Sequence, residues 1–118
     1  MKRILVIDDD AQVHTLIPLI FEQCNYHIKS TLHIGNLEDL INEYKPDLII
    51  LDIMLGDVDG RYICTYLKSK PLFEAIPIIL VSGIITEVDL QGCKPDAFIT
   101  KPFNIDELIQ QVDDLVYV

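Results

Sequence analysis

Positive charge is scarce in this sequence of 118 residues: nine Lys and Arg stand against nineteen Asp and Glu, for a net charge of −10. Nonspecific grip on a phosphate backbone needs a basic face, so direct nucleic-acid binding by this domain is excluded. Long apolar runs are missing as well. Those present are four to six residues long, far below the ~20 that span a bilayer. The basic start "MKR" leads into a run too short for a secretion signal, without a small-residue cleavage site. The expectation is a soluble, cytoplasmic protein with no membrane partner. Cysteine is limited to Cys24, Cys64 and Cys93, widely spaced and without a CxxC pair, which fits structural thiols in a reducing compartment. No Gly-rich phosphate loop is present, and His14, His27 and His33 share no metal-ligand spacing.

Half the residues are hydrophobic, which excludes a disordered chain and is enough for one core. The length allows a single domain over residues 1–118. Five short apolar runs, Ile4–Ile7, Tyr26–Ser30, Leu48–Asp52, Ile76–Ser82 and Ala97–Thr100, alternate with stretches of helical period. "ILVI", "LIIL" and "PIILV" are continuously apolar, as parallel strands covered on both faces are. Val13, Leu16, Ile17, Ile20, Phe21 and Cys24 form one helical stripe, which Pro18 should kink. Asn36 is placed to cap a helix over Leu37–Tyr44. A third helix follows Gly60 and ends before Pro71. The last is capped by Asn104, with Glu107 three residues on, and has the stripe Ile105, Leu108, Ile109, Val112 and Val116. Such alternation predicts an α/β fold, a doubly wound parallel sheet of five strands.

In such sheets ligands bind beyond the carboxyl ends of the strands, where strand order reverses. Those ends carry Asp8 and Asp9, then Asp52, Ser82 and Lys101. With the order 2-1-3-4-5 the first and third strands are neighbours, so Asp8, Asp9 and Asp52 converge. Two carboxylates ~5 Å apart repel by about 3 kcal/mol at an effective dielectric of ~20, roughly two pK units. Three need a cation. Oxygen ligands without His or Cys point to Mg²⁺, with Mn²⁺ as the alternative. A carboxylate between a hard dication, a lysine and a hydroxyl can attack phosphorus in line, giving an acyl phosphate. Asp10 falls where the first helix begins and is read as its cap. Asp57 and Asp59 in "LGDVDG" lack calcium-loop spacing and are read as a turn before the third helix.

The set "ILVIDDD", "DLIILDIMLGDVDG", "PIILVSG" and "FITKPF" resembles the receiver domain of two-component response regulators over essentially the whole chain. The resemblance implies a flavodoxin-like, chemotaxis-regulator-like fold with Asp52 as phosphoacceptor. It makes Asp8, Asp9, Asp52 and the Met54 carbonyl the Mg²⁺ site, Asp8 acting largely through water. Ser82 and Phe98 take the switch positions, and Lys101 that of the family's lysine, before a cis Lys101–Pro102 bond. The implied partners are a histidine kinase or histidine phosphotransfer protein as donor and a downstream protein on the output face, with dimerisation left open. Self-catalysed transfer and slow autodephosphorylation would make it a signalling phosphoacceptor rather than an enzyme. The alternative is a receiver-fold interaction module that does not cycle phosphate.

Three departures stand out. Gly56 replaces a common proline in "DxMLP", which should loosen the loop after Asp52. Pro18 is unusual in the first helix. The segment from Ser82 to Lys101 is about one helical turn short, so a short or irregular fourth helix and an atypical signalling face are expected. Met54 and Ile84, both apolar, flank the site where the family tunes hydrolysis, which predicts a long-lived phosphoryl group.

Overall fold

The computed structural model describes residues 1–83, 90 and 92–117. β1 (Lys2–Ile7), β2 (Tyr26–Thr31), β3 (Leu48–Asp52), β6 (Ile78–Ser82) and β7 (Ala97–Thr100) form a sheet of five strands in the order β2-β1-β3-β6-β7, every pair parallel. The two-residue strands β4 (Met54–Leu55) and β5 (Val58–Asp59) form a separate antiparallel hairpin. With that hairpin set aside, the order is the expected 2-1-3-4-5. Among the described residues the helices are α1 (Ala11–Ile20), α2 (Leu37–Tyr44), α3 (Gly60–Lys68) and α4 (Ile105–Val116). The expectation of a short or irregular fourth helix after Ser82 falls on residues 84–89 and 91, outside the described residues.

The continuous apolar runs have the meaning predicted for them. Side chains alternate across a strand, so Ile4 and Val6 join one core cluster while Leu5 and Ile7 join the other. The first cluster packs β1, β3 and β6 against α1 and α4, through Val13, Ile17, Leu108 and Val112. The second packs the opposite face against α2 and α3, through Ile41, Ile63, Cys64 and Leu67. β3 and β6 are buried along their whole length. Each such Ile, Leu or Val contributes about 1.5–3 kcal/mol of hydrophobic free energy.

The helix ends follow local chemistry. Asp10 caps α1, its side chain accepting from the Gln12 amide at 2.9 Å. Asn104 caps α4 by accepting from the Glu107 amide at 2.9 Å. α3 ends before Pro71 as expected. Some expectations need correction. Leu16 lies on the flank of its stripe and is 40% exposed, whereas Val13, Ile17 and Ile20 face the core. Ile105 sits in the first turn of α4 and is 52% exposed. α1 ends at Ile20, two residues beyond Pro18 and short of the Cys24 end of its stripe; Phe21 is buried from the turn that follows. Asn36 does precede α2, but in the left-handed conformation with φ 58° and no side-chain cap bond. Its geometry turns the chain, and Glu38 and Asp39 in the first turn of α2 supply the favourable charge instead.

Candidate functional site

The register of the sheet builds the site. β1 lies beside β3, with Ile7 opposite Leu51, so both strands run out at the same edge. Asp8 and Asp9 follow β1, and Asp52 ends β3. One carboxylate oxygen from each of Asp8, Asp9 and Asp52 falls within a group spanning no more than 4.8 Å. Asp8 and Asp52 are buried, and Asp9 is exposed. Lys101, after β7, reaches over the site, its Nζ 2.9 Å from Asp8 Oδ2 and 3.2 Å from Asp52 Oδ2. The Lys101–Pro102 peptide is cis.

The electrostatics follow from this crowding. Burial, and then the charge of Asp8, push the Asp52 carboxyl up to about 6. The Met54 amide, which donates to Asp52 Oδ1 at 3.2 Å, and the Lys101 ammonium pull the other way without winning. Burial alone would depress the Lys101 ammonium. Its bonds and charge contacts with Asp8 and Asp52 outweigh that and leave it above its ordinary value.

The three aspartates are held differently. Asp8 Oδ1 accepts from the Asp10 amide at 2.9 Å and Oδ2 faces Lys101, so protein donors engage both oxygens. Asp9 Oδ2 accepts from the Gly56 amide at 2.9 Å. Asp10 is tied to the helix cap and lies outside the acidic group. A donor set of three carboxylates, two buried and one open to water, without His or Cys, fits Mg²⁺ or Mn²⁺ and does not fit zinc.

Ser82 is buried at the end of β6, one residue beyond the Asp52–Val81 pair, and its carbonyl accepts the Lys101 amide at 2.8 Å. Phe98 is half-buried on β7 opposite Leu80 and packs on the α2–α3 side of the sheet. Met54 meets the site through its amide, with its side chain 70% exposed; Ile84 lies outside the described residues.

Several neighbours escape a reading of motifs alone. Gly60 opens α3 against Asp52 so closely that a Cβ there would lie 2.0 Å from the Asp52 carbonyl oxygen. Its amide donates to the Ile53 carbonyl at 2.7 Å. The two-residue turn Gly56-Asp57 joins β4 to β5, and Gly before Asp between paired residues is a hairpin signal that "LGDV" already carries. Of the two acids expected in a turn before α3, Asp57 lies in the Gly56-Asp57 turn, whereas Asp59 belongs to β5 and caps α3, accepting from the Arg61 amide at 2.9 Å. His14 packs behind the site: Nε2 is 2.5 Å from the Asp8 carbonyl oxygen, and the buried Nδ1 has no hydrogen-bond partner among the described residues. Nothing in its spacing predicts that contact.

The family model "Response regulator receiver domain" matches residues 4–113. The DNA-binding dual master transcriptional regulator RpaA of Synechocystis sp. is 32% identical over 119 residues, 98% of this chain and 49% of that protein. The nisin biosynthesis regulatory protein NisR of Lactococcus lactis subsp. lactis is 33% identical over 114 residues, 94% of this chain and 48% of that protein. The chain thus spans about half the length of these curated relatives. Among solved structures, the signal receiver domain of a DNA binding response regulator protein from Colwellia psychrerythraea superposes with a TM-score of 0.90 at 27% identity, each chain covered over 100% of its length.

Proposed function

Because the chain belongs to the response regulator receiver family, we propose that it receives a phosphoryl group on Asp52 from a phosphohistidine and relays that state to a protein partner. As in the rest of the family, the role is signalling rather than turnover of a substrate. The observation that carries this reading is the convergence of Asp8, Asp9 and Asp52 under the Lys101 ammonium.

Asp9 and Asp52 would hold the Mg²⁺ directly, with the Met54 carbonyl as a backbone ligand and Asp8 supporting through water; protein donors on both Asp8 oxygens favour that division. Bound there, the ion supplies positive charge for the equatorial oxygens of the transferring group. Lys101 supplies the same from the opposite side. Each Asp52 oxygen accepts one hydrogen bond from the described residues, which leaves a lone pair for attack. An Asp52 oxygen forms the new O–P bond in line as the P–N bond to the donor imidazole breaks, and the imidazole takes up a proton. ATP is not required, since the donor is a histidine kinase or a histidine phosphotransfer protein.

Ser82 stands at the next strand end and is the hydroxyl for the new phosphoryl oxygens. Its movement, followed by Phe98, would bias the face that includes β6 and β7 between two arrangements, which a downstream protein reads. Residues 1–118 make one receiver domain. Among the described residues no helix is long and apolar enough to cross a membrane.

The test is incubation with acetyl phosphate and Mg²⁺, followed by intact mass. The expected result is a ~80 Da adduct, the mass of one phosphoryl group, absent from Asp52→Asn. No adduct on the wild type, or an undiminished one on Asp52→Asn, would remove this function and leave a receiver-fold interaction module.

A further inference from the structure

Gly56 stands where a proline would be ordinary in this loop, and that departure should loosen the chain after Asp52. The geometry points to the reverse. Leu55 pairs with Val58, so Gly56 and Asp57 form a two-residue hairpin loop. Gly56 has φ +62°, and Asp57 is not among the residues of positive φ. Positive φ at the first central residue alone is the φ pattern of a type II′ turn, which takes Gly at that place. In this conformation the Gly56 amide points at the acidic group and donates to Asp9 Oδ2 at 2.9 Å. Proline is excluded twice: it has no N–H, and its ring fixes φ near −65°.

We infer that the Gly56 amide is a positioning group for the metal site, a clip that holds Asp9 before any cation arrives. Asp9 is the exposed member of the triad. Asp8 is fixed by Lys101 and the Asp10 amide, and Asp52 by Lys101 and the Met54 amide. Without the clip, Asp9 would have to surrender side-chain rotamers when it took up an ion. With it, one oxygen is held by a charge-assisted bond, and Oδ1 has no hydrogen bond to any described residue. The β4–β5 hairpin, anchored on the far side by Met54 opposite Asp59, sets the direction of the amide. The loop after Asp52 is therefore part of the site's preorganisation.

This inference rests on the Mg²⁺ site proposed above, and the experiment separates the two. Mg²⁺ is titrated calorimetrically into the metal-free full chain and into Gly56→Pro and Gly56→Ala. Gly56→Pro is expected to raise the Kd about tenfold, about 1.4 kcal/mol. Gly56→Ala keeps the N–H and strains only φ, so a smaller rise, about threefold or less, is expected. Circular dichroism checks that both variants fold. Unchanged or tighter Mg²⁺ binding by folded Gly56→Pro would overturn the clip while the metal site stands. A second measurement needs no metal: the Gly56 amide resonance and its hydrogen exchange in EDTA, wild type against Asp9→Ala. Loss of the acceptor is expected to move the resonance and speed exchange; no change in either would overturn the clip by itself. A wild type that takes up no Mg²⁺ would sink the proposed site, and the amide measurement would still decide the clip.

Discussion

Lys101 bridges two buried acids, its Nζ lying 2.9 Å from Asp8 Oδ2 and 3.2 Å from Asp52 Oδ2. In the metal-free protein this one cation is what lets two carboxylates share the end of β1 and β3. Lys101→Met removes it and leaves both acids facing each other. Breaking a fully buried pair costs 3–5 kcal/mol, but Lys101 is one-fifth exposed and Asp52 can protonate, so about 2 kcal/mol is expected at neutral pH. A divalent ion would replace part of the missing charge. Urea unfolding with EDTA and with Mg²⁺ should therefore show a larger Mg²⁺-dependent gain in Lys101→Met than in wild type. Equal gains would contradict the account.

The pH dependence of stability has a definite sign. Asp52 titrates near 6 in the folded chain because burial and Asp8 disfavour its charge, against 3.8 for an ordinary aspartate. The folded state thus holds a proton that the unfolded state has released between those values. The contribution of this group to stability is full below about pH 4 and is lost as pH rises through about 6. Asp52→Asn never ionises, and Lys101 keeps Asp8 as its partner. The metal-free variant should exceed wild type by about 1–2 kcal/mol near pH 7.5, a value discounted for solvent relaxation, and the gap should close toward about pH 4.5. Urea midpoints in EDTA across that range measure it. A gap independent of pH would defeat the argument.

The sheet was legible because its signal is local: four or five consecutive apolar residues need cover on both faces, and β1, β3 and β6 have it. The acids were legible because strand ends are where doubly wound sheets do chemistry, so Asp8, Asp9 and Asp52 could be assembled from separate motifs. Asp10 could be set apart by its place before α1. Other features depend on backbone that only the fold brings near. Gly60 looks like any turn glycine until the Asp52 carbonyl lies beside it. Gly56 reads as a loosened proline site until its amide meets Asp9. Leu16 and Ile105 match the helical period yet lie at the margins of their stripes, where the neighbouring element does not reach.

Asp96 is a structural tie far from the chemistry, before β7. Its Oδ2 accepts from Lys68 Nζ at 2.7 Å and from the Ile78 amide at 2.8 Å. Lys68 Nζ also donates to the Ile76 carbonyl at 2.8 Å, so the end of α3 is joined to the starts of β6 and β7. The ion pair is partly exposed and worth little alone; the amide left without an acceptor matters more. Asp96→Ala should cost about 1–2 kcal/mol in chemical denaturation and leave the Mg²⁺ Kd unchanged. A shift in Kd would mean that the two ends of the sheet are coupled, against this reading.

Gly60 offers the sharpest steric test. A Cβ at this position would sit 2.0 Å from the Asp52 carbonyl oxygen, 2.8 Å from its carbon and 2.9 Å from Ile53 Cα, all of them backbone atoms. No flexible side chain can give way, so either the start of α3 or the end of β3 must move. Gly60→Ala should therefore lose about 3 kcal/mol or more, the upper range for overpacking. The movement would also carry Asp52 away from Asp8 and weaken Mg²⁺ binding. Gly35→Ala is the control, since its Cβ would meet nothing within 4 Å and its φ is not positive. It should change stability by no more than about 0.5 kcal/mol. Denaturation midpoints of the two variants decide the matter: a Gly60→Ala as stable as Gly35→Ala would show that the α3–β3 junction yields, and that Asp52 is not held in place by the close approach of Gly60.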